Sequence, residues 1–156
     1  MSLRSVLISN FEFSPSPPPM PLPVERQEAI RGTLGSIDDP QERLTVAMSW
    51  KTGMAPLKEE ERTEDRLVRG CVSRVWLAAE MESGRCRFRV DADSPLVRGL
   101  VRLLCGIYDG ATAAEVLAEE PVVLEELGIL RNLSSTRQTG LAAVRRALVE
   151  FAMNAS

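Results

Sequence analysis

Cysteine is the side chain of this sequence best suited to nucleophilic chemistry, and it occurs three times, at Cys71, Cys86 and Cys105. The chain contains no histidine, which removes the commonest general base and the commonest zinc ligand. A hydrolase of the Ser-His-Asp or Cys-His type is therefore excluded in its usual form. Three widely spaced cysteines indicate neither a disulfide framework nor a zinc knuckle, so we expect reduced thiols and no metal site.

Cys71 differs from the other two cysteines in its position along the chain. It lies in "RGCVSRVWL", residues 69–77, where a charged loop turns into a strand. Gly70 lets the backbone bend and a partner approach closely, and the cations of Arg69 and Arg74 favour the nucleophilic thiolate. The other two alternate with core residues in a strand or fall in an apolar helix, which favours structural roles. From position alone, a core thiol and a functional thiol remain equally open for Cys71.

The whole chain has the size and composition of one domain. It has 156 residues, 44% hydrophobic and 26% charged, enough for one core. The net charge of -3 argues against a dedicated nucleic-acid binder, and no apolar run approaches the ~20 residues of a membrane span. Proline dominates residues 14–23, so we predict a disordered leader over 1–24 and a domain over 25–156. The cytoplasm is the expected compartment, with an organelle as the alternative if the leader is a transit segment.

The elements that would position these cysteines follow from hydrophobic periodicity and capping signals. Helices are predicted over 24–34 and from Asp39 with Pro40 in its first turn, and the charged stretch 58–65 is predicted to be a solvated loop. A hairpin follows, with strands from Cys71 and after a Ser83-Gly84 turn. A further helix is predicted after Ser94, another at a capping box in 112–115, and a third that ends at Gly128. The last helix is predicted to begin at a cap formed by Ser135 with Gln138. The order gives an α+β domain in which helices pack on a small antiparallel sheet.

The faces of the predicted hairpin follow from its period of two. Hydrophobic residues of both strands alternate and are expected to face the core, namely Val75, Leu77, Ala79, Met81, Cys86, Phe88 and Val90. The opposite face carries glutamates on the first strand and arginines on the second, and we expect these to lie across from one another. A solvated sheet face is favoured for the arginine row over a phosphate-binding patch.

Four stretches in one order resemble a known family. "GCVSRVWL", "DADSPLVRGLVRLL", "YDGATAAEVL" and "LSSTRQTGLAAVRRAL" are similar to motifs of the SufE sulfur-acceptor family, and the resemblance runs from about residue 25 to 153. It implies the SufE/IscU-like fold. It also implies that Cys71 is the acceptor cysteine, which takes sulfur as a persulfide from a cysteine desulfurase.

The resemblance also implies partners and helpers. The partner is a pyridoxal-phosphate-dependent desulfurase of the SufS or CsdA type, which the protein stimulates, and sulfur passes on to a scaffold for iron–sulfur clusters. Pyridoxal phosphate belongs to that partner, so the protein needs no cofactor of its own beyond a transient persulfide on Cys71. It is then a sulfur-transfer accessory protein and not a stand-alone enzyme.

Several other residues match or depart from the family pattern. Arg137 matches an arginine expected to lie near the cysteine loop and to help the thiolate or persulfide anion; a plain surface arginine is an equal alternative. Asp91 and Asp93 match acidic positions expected to order the strand-to-helix turn. The supporting set is Gly70, Arg74, Arg137 and Asp93, and Trp76 is expected to pack. The departures are Asn132 and Arg66, where the family usually has histidine and asparagine.

Two other functions remain open at this stage. The first alternative to a sulfur carrier is a binding module that regulates a desulfurase without carrying sulfur, and the second is a thiol redox protein that senses peroxide. The redox function needs a resolving thiol, and neither Cys86 nor Cys105 is near Cys71 in sequence. A further hypothesis is that Cys71 lies under apolar side chains until a partner draws it out, which would protect the thiol from oxidation.

Overall fold

The structure is a computed structural model that describes residues 20–155. Residues 1–19 of the predicted leader lie outside the described residues. The first helix, α1, spans Pro23–Leu34, so the last proline of the proline-rich stretch begins a helix one residue earlier than expected. Proline is well suited there, because the first residue of a helix has no amide bond to lose and the φ angle of proline is helical.

The second helix, α2, spans Pro40–Met48, and its start follows the predicted signal. The Asp39 carboxylate accepts a hydrogen bond from the Gln41 amide at 3.3 Å, and Pro40 is the first helical residue. Ile30 and Leu34 of α1 and Ala47 of α2 are fully buried. The stretch 58–65, predicted to be a solvated loop, instead contributes to two single turns of 3-10 helix at Glu59–Glu61 and Glu64–Arg66.

A two-stranded antiparallel sheet follows, formed by β1, Val75–Glu82, and β2, Arg85–Ala92. Ser83 and Gly84 have φ angles of 52° and 79°, which is the conformation of a tight hairpin turn. In the register Val75 pairs with Ala92 and Leu77 with Val90. Most of the predicted apolar face packs in the core, with Leu77 and Ala79 partly buried against it. The prediction is wrong for Met81, which lies beside the turn and is 43% exposed. The first strand is shorter than predicted, since it begins four residues after Cys71.

The polar face of the hairpin has the predicted register but different ion pairs. Glu80 lies opposite Arg87, yet the Arg87 guanidinium donates to Asp109, at 3.1 Å. Arg89 pairs with Glu61 of the first 3-10 turn at 2.6 Å. The arginine row therefore ties the sheet to the segments on either side of it.

The central helix of the core is α3, Pro95–Tyr108, followed by α4, Ala113–Ala118, and α5, Val123–Glu126. Ser94 occupies the predicted N-cap of α3, but its side chain makes no capping hydrogen bond. The predicted capping box of α4 is present, because Thr112 and Glu115 exchange hydrogen bonds of 2.8 and 3.2 Å. Gly128 ends α5 with a φ of 74°, and a 3-10 turn at Leu130–Asn132 follows.

The last helix, α6, spans Ser135–Ala155 and packs across α3 and α4. Its cap is Ser134, whose hydroxyl accepts from the Arg137 amide at 3.3 Å, and not Ser135 as predicted. Gln138 instead donates to the Leu133 carbonyl at 3.0 Å.

Helices cover one face of the hairpin, and a small cluster of side chains covers part of the other. This arrangement confirms the predicted α+β architecture. That cluster consists of Leu57, Trp76 and Ala78 with Leu67 packed against it.

Candidate functional site

Cys71 lies in a six-residue loop closed by backbone pairing. The Val68 amide donates to the Val75 carbonyl at 2.8 Å, and Leu67 forms an antiparallel bridge with Trp76. Residues 69–74 therefore form the tip of a second, short hairpin that shares β1, and we call this segment the cysteine loop. The pairing explains why β1 does not extend back to Cys71.

Gly70 has two reasons to be glycine. Its φ angle is +92°, in the left-handed region that L side chains rarely adopt. A Cβ atom at this position would also lie 3.3 Å from the Cβ of Ala143 in α6. The bend expected at Gly70 is present, and it brings the loop close to the last helix.

Arg74 and Asp93 hold the other end of the loop through the backbone. The Asp93 amide donates to the Arg74 carbonyl at 3.1 Å. The Arg74 guanidinium lies 5.4 Å from the centroid of the Trp76 ring, and that of Arg62 lies 5.3 Å from it. Arg74 thus makes a cation–π contact with the tryptophan, and Trp76 packs, as expected.

Asp91 orders the strand-to-helix turn with its side chain. It is buried and forms ion pairs with Arg62 and with Arg98, the latter at 2.7 Å, and it accepts from the Ala92 amide at 2.8 Å. Burial alone would raise the pKa of Asp91, but this amide and the two guanidiniums outweigh it and hold the pKa below its usual value. Asp93, a member of the predicted supporting set, is exposed.

The thiol of Cys71 points inward. Its Sγ lies 3.4 Å from the Gly140 carbonyl oxygen, to which the S–H can donate. Burial raises the pKa of the thiol above its ordinary value. The expectation that Arg69 and Arg74 favour the thiolate is therefore wrong for the free protein, in which Cys71 is a neutral thiol.

A small cavity lies beneath the thiol. It has a volume of about 20 Å³, enough for roughly one water-sized group. Arg137, in the first turn of α6, lines this cavity together with Cys71, so the structure brings together the two residues that the sequence had linked. The remaining lining residues are Val72, Ser73, Val97, Leu100, Thr136, Gly140 and Leu141. Val72, next to the inward thiol, is 82% exposed.

The other two thiols are sealed in the core. Cys86 and Cys105 have no exposed surface, and the Cys86 Sγ lies 3.8 Å from the sulfur of Met81. Burial raises the pKa of both, and Asp109 adds to this effect at Cys105. All three cysteines are free.

The two departures from the family pattern make local contacts. The Asn132 amide group donates to the Gly128 carbonyl at 3.2 Å and so supports the turn before α6. Arg66 donates to the Glu61 carbonyl at 3.0 Å.

Within residues 20–155, no cluster of acidic, histidine or cysteine side chains suits a metal ion. No helix in that range is long and apolar enough to cross a membrane.

Comparison with known proteins finds a matching family model and relatives whose names agree with it. A family model described as "SufE: Fe-S metabolism associated domain" matches residues 28–152. An uncharacterized SufE-like protein of Rhizobium etli is 32% identical over 74% of this chain and 82% of its own length. The sulfur acceptor protein CsdE of Escherichia coli is 31% identical over 78% of this chain and 84% of its own. The chloroplastic SufE-like protein 2 of Arabidopsis thaliana is 35% identical over 60% of this chain and 37% of its own.

A solved structure supports the fold independently. The solution structure of a hypothetical protein from Thermus thermophilus superposes with a TM-score of 0.68 and covers 87% of this chain and 98% of its own. Its sequence identity is 20%, so this likeness concerns the fold alone.

Proposed function

The chain belongs to the SufE family of Fe-S metabolism associated domains, and from that premise we propose that Cys71 accepts sulfur as a persulfide from a cysteine desulfurase. The observation that supports this assignment is the contrast among the thiols. Cys71 lies on a surface loop above a cavity that it shares with Arg137, whereas Cys86 and Cys105 are sealed in the core. A donor sulfur on another protein can reach only a thiol that can leave the interior.

The proposed transfer needs no oxidant and no histidine. The Cys71 thiolate attacks the terminal sulfur of the donor persulfide R–S–SH. The donor S–S bond breaks and leaves a donor thiolate. A new S–S bond forms between the Cys71 sulfur and the transferred sulfur, which keeps its proton. One disulfide-type bond replaces another, so the step is a thiol exchange governed by thiolate formation and access.

The proposed partner is a desulfurase of the SufS or CsdA type, and the pyridoxal phosphate belongs to that partner. The protein stimulates that enzyme by emptying its persulfide cysteine, and it carries the sulfur to a scaffold for iron–sulfur clusters. It needs no cofactor of its own.

The inward thiol is the resting state of the carrier. Burial raises the pKa of Cys71, and the hydrogen bond to the Gly140 carbonyl suits a neutral S–H. The desulfurase must therefore draw the cysteine loop outward before the thiolate can attack, and this requirement protects the free protein from oxidation. After transfer, the cavity of about 20 Å³ offers room for the added sulfur.

Arg137 stabilises the sulfur anion in this scheme. It is exposed in the first turn of α6 and lines the mouth of the cavity, where a cation favours a thiolate or persulfide anion. We expect Arg137→Gln to slow sulfur loading by about fivefold, as an exposed charge interaction allows, and Arg137→Lys to restore most of the rate. An equal affinity of all three proteins for the desulfurase would separate this role from docking; a full loading rate in Arg137→Gln would refute it.

The decisive experiment is mass spectrometry of the protein after incubation with cysteine and the host's desulfurase. Alkylation without reductant preserves persulfides, and trypsin then separates Cys71, in peptide 70–74, from Cys105, in peptide 103–131. One added sulfur on peptide 70–74, absent without desulfurase, supports the acceptor function. No added sulfur despite a demonstrated complex would refute it and favour a regulatory binding module.

For location, we propose the cytoplasm, with an organelle as the alternative. The chloroplastic name of the Arabidopsis thaliana relative supports that alternative. Residues 1–24 fused to a fluorescent protein test it in the host cell: a diffuse cytoplasmic signal supports the first compartment and an organellar signal the second.

A further inference from the structure

A groove separate from the thiol cavity runs along the last helix. It lies between residues 65–69 on one wall and α6 on the other, and it has a volume of about 370 Å³. It adjoins the cysteine loop, because Gly70 lies against Ala143 at this end. We call it the arginine groove. Between its charged side chains lie the apolar lining residues, which we call the floor: Leu67, Val68, Leu77, Ala143 and Ala147.

The charges along this groove are ordered by distance from Cys71. On the first wall the chain runs into the cysteine loop, so Arg69, the first residue of that loop, lies at the near end of the groove and Asp65 at the far end. On the second wall α6 runs away from the loop, so Arg146 precedes Glu150. The seven helical steps from Ala143 to Glu150 correspond to about 10 Å of helix. The groove is therefore positive beside the cysteine loop and acidic at its far end, with Arg66 beside Asp65.

The two arginines at the near end of the groove differ from the half-buried arginines around the hairpin. Arg62, Arg87, Arg89 and Arg98 all form ion pairs with buried or half-buried carboxylates. Arg69 and Arg146 are exposed, and within the described part of the chain neither guanidinium has a hydrogen bond or an ion pair. Two unpaired cations thus flank an apolar floor in a protein whose net charge is -3.

We propose that the arginine groove docks an acidic segment of the desulfurase, and this inference rests on the proposed function. Carboxylates of the segment pair with Arg69 and Arg146, and an apolar side chain between them covers the floor. The charge pattern complements such a segment, whereas a floor of five apolar residues does not suit a free anion. Docking here holds the partner against Gly70 and brings its persulfide beside the loop that carries Cys71.

The experiment measures the affinity of the full chain for the host's desulfurase by titration calorimetry. The double variant Arg69→Glu/Arg146→Glu is expected to raise the Kd at least about tenfold near 0.15 M salt, and the salt dependence of binding is expected to flatten. The single variant Arg146→Glu is compared with Lys51→Glu, which makes the same charge change at an exposed position outside the groove. We expect the Lys51 variant to bind like wild type.

One further measurement and one further variant make the result decisive. Sodium polysulfide can load Cys71 without docking, slowly, when the cysteine loop opens spontaneously, and this slow rate is expected to be the same in wild type and in the arginine variants. A matching loss would mean that the loop itself was damaged and would overturn the docking role. If the double variant does not fold, Arg69→Gln/Arg146→Gln replaces it, with an expected rise in Kd of about threefold. Tight binding by every arginine variant overturns the groove proposal alone, whereas failure of wild type to bind the desulfurase overturns the proposed function as well.

Discussion

Cys71 and Cys105 are both neutral thiols, yet the two regions that hold them differ in what would have to move to expose the sulfur. Cys105 lies in the central helix α3 with no exposed surface, and exposing it requires unfolding of the core. Cys71 is held by a six-residue loop and one weak S–H hydrogen bond, 3.4 Å long, to Gly140. Burial raises the pKa of both. Access, and not a lowered pKa, therefore distinguishes the candidate acceptor in the free protein.

The frame around the loop makes this difference possible. Val68 pairs with Val75 on one side, and Asp91 fixes the turn into α3 on the other through Arg62 and Arg98. Both ends of the cysteine loop are therefore fixed, while the tip carries the exposed Val72. A rigid frame around a weakly held tip allows Cys71 to leave the interior at little cost to the fold.

The largest expected effect separates the two thiols by substitution. We expect Cys71→Ser to abolish sulfur loading with little change in stability, because the half-buried loop side chain has one weak hydrogen bond. Cys105→Ser should load sulfur normally but lose about 1–3 kcal/mol in the free energy of unfolding, since it buries a hydroxyl in the core. Loading assays and urea denaturation measure both. Equal loss of loading in the two variants, or in Cys86→Ser, would remove the special role of Cys71.

Alkylation kinetics sharpen the same comparison without mutation. Because its pKa is raised, Cys71 should react with iodoacetamide slowly at neutral pH, and its rate should rise with pH through a midpoint above the ordinary value of about 8.5. Addition of desulfurase should accelerate the reaction at least about tenfold, whereas Cys105 stays unmodified. Peptide mapping follows both sites. Fast reaction of Cys71 in the free protein at neutral pH would contradict the resting state described above.

The frame itself can be weakened at Asp91. Asp91→Asn should lower the free energy of unfolding by about 2–3 kcal/mol at neutral pH, because two arginines lose a buried carboxylate. Since the pKa of Asp91 is lowered in the folded state, its contribution is present above the unfolded pKa of about 4 and is lost as pH falls through the folded value. Wild type and variant should therefore converge in stability in acid.

The matched control for this change is Asp93→Asn. The Asp93 carboxylate is exposed, so we expect this substitution to change the free energy of unfolding by less than about 0.5 kcal/mol. Equal effects of the two substitutions on denaturation curves would mean that Asp91 is not the residue that orders the turn.

Local signals made most of the fold predictable from the sequence. The Asp39-Pro40 start, the capping box of α4 and the Ser83-Gly84 turn each depend on neighbouring residues, and all three are present. The cap of the last helix is Ser134 and not the predicted Ser135, because two adjacent serines give the same signal.

The site was less predictable because its contacts are distant in sequence. The state of the Cys71 thiol depends on Gly140, 69 residues away, so adjacent arginines were a poor guide to its pKa. Asp93 was preferred to Asp91 in the supporting set because the sequence does not reveal which of them is buried beside Arg62. Arg137 was found through the family motif; its proximity to Cys71 depends on how α6 crosses the loop, which periodicity does not specify.

The smallest expected effect tests whether the cavity holds the added sulfur. A Cβ at Gly140 would lie 3.7 Å from the Cys71 Sγ, an ordinary contact, with nothing else within 4 Å. Gly140→Ala should therefore leave the resting thiol in place and raise the stability by about 0.5–1 kcal/mol, as alanine does inside a helix. It should also fill much of the small cavity and leave the persulfide sulfur exposed, so that dithiothreitol releases it a few-fold faster. The matched control is Gly32→Ala in α1, where a Cβ meets nothing within 4 Å and the release rate should match wild type. If both variants release sulfur at the wild-type rate, the added sulfur does not lie in the cavity, and protection of the persulfide, unlike that of the thiol, must come from the bound partner.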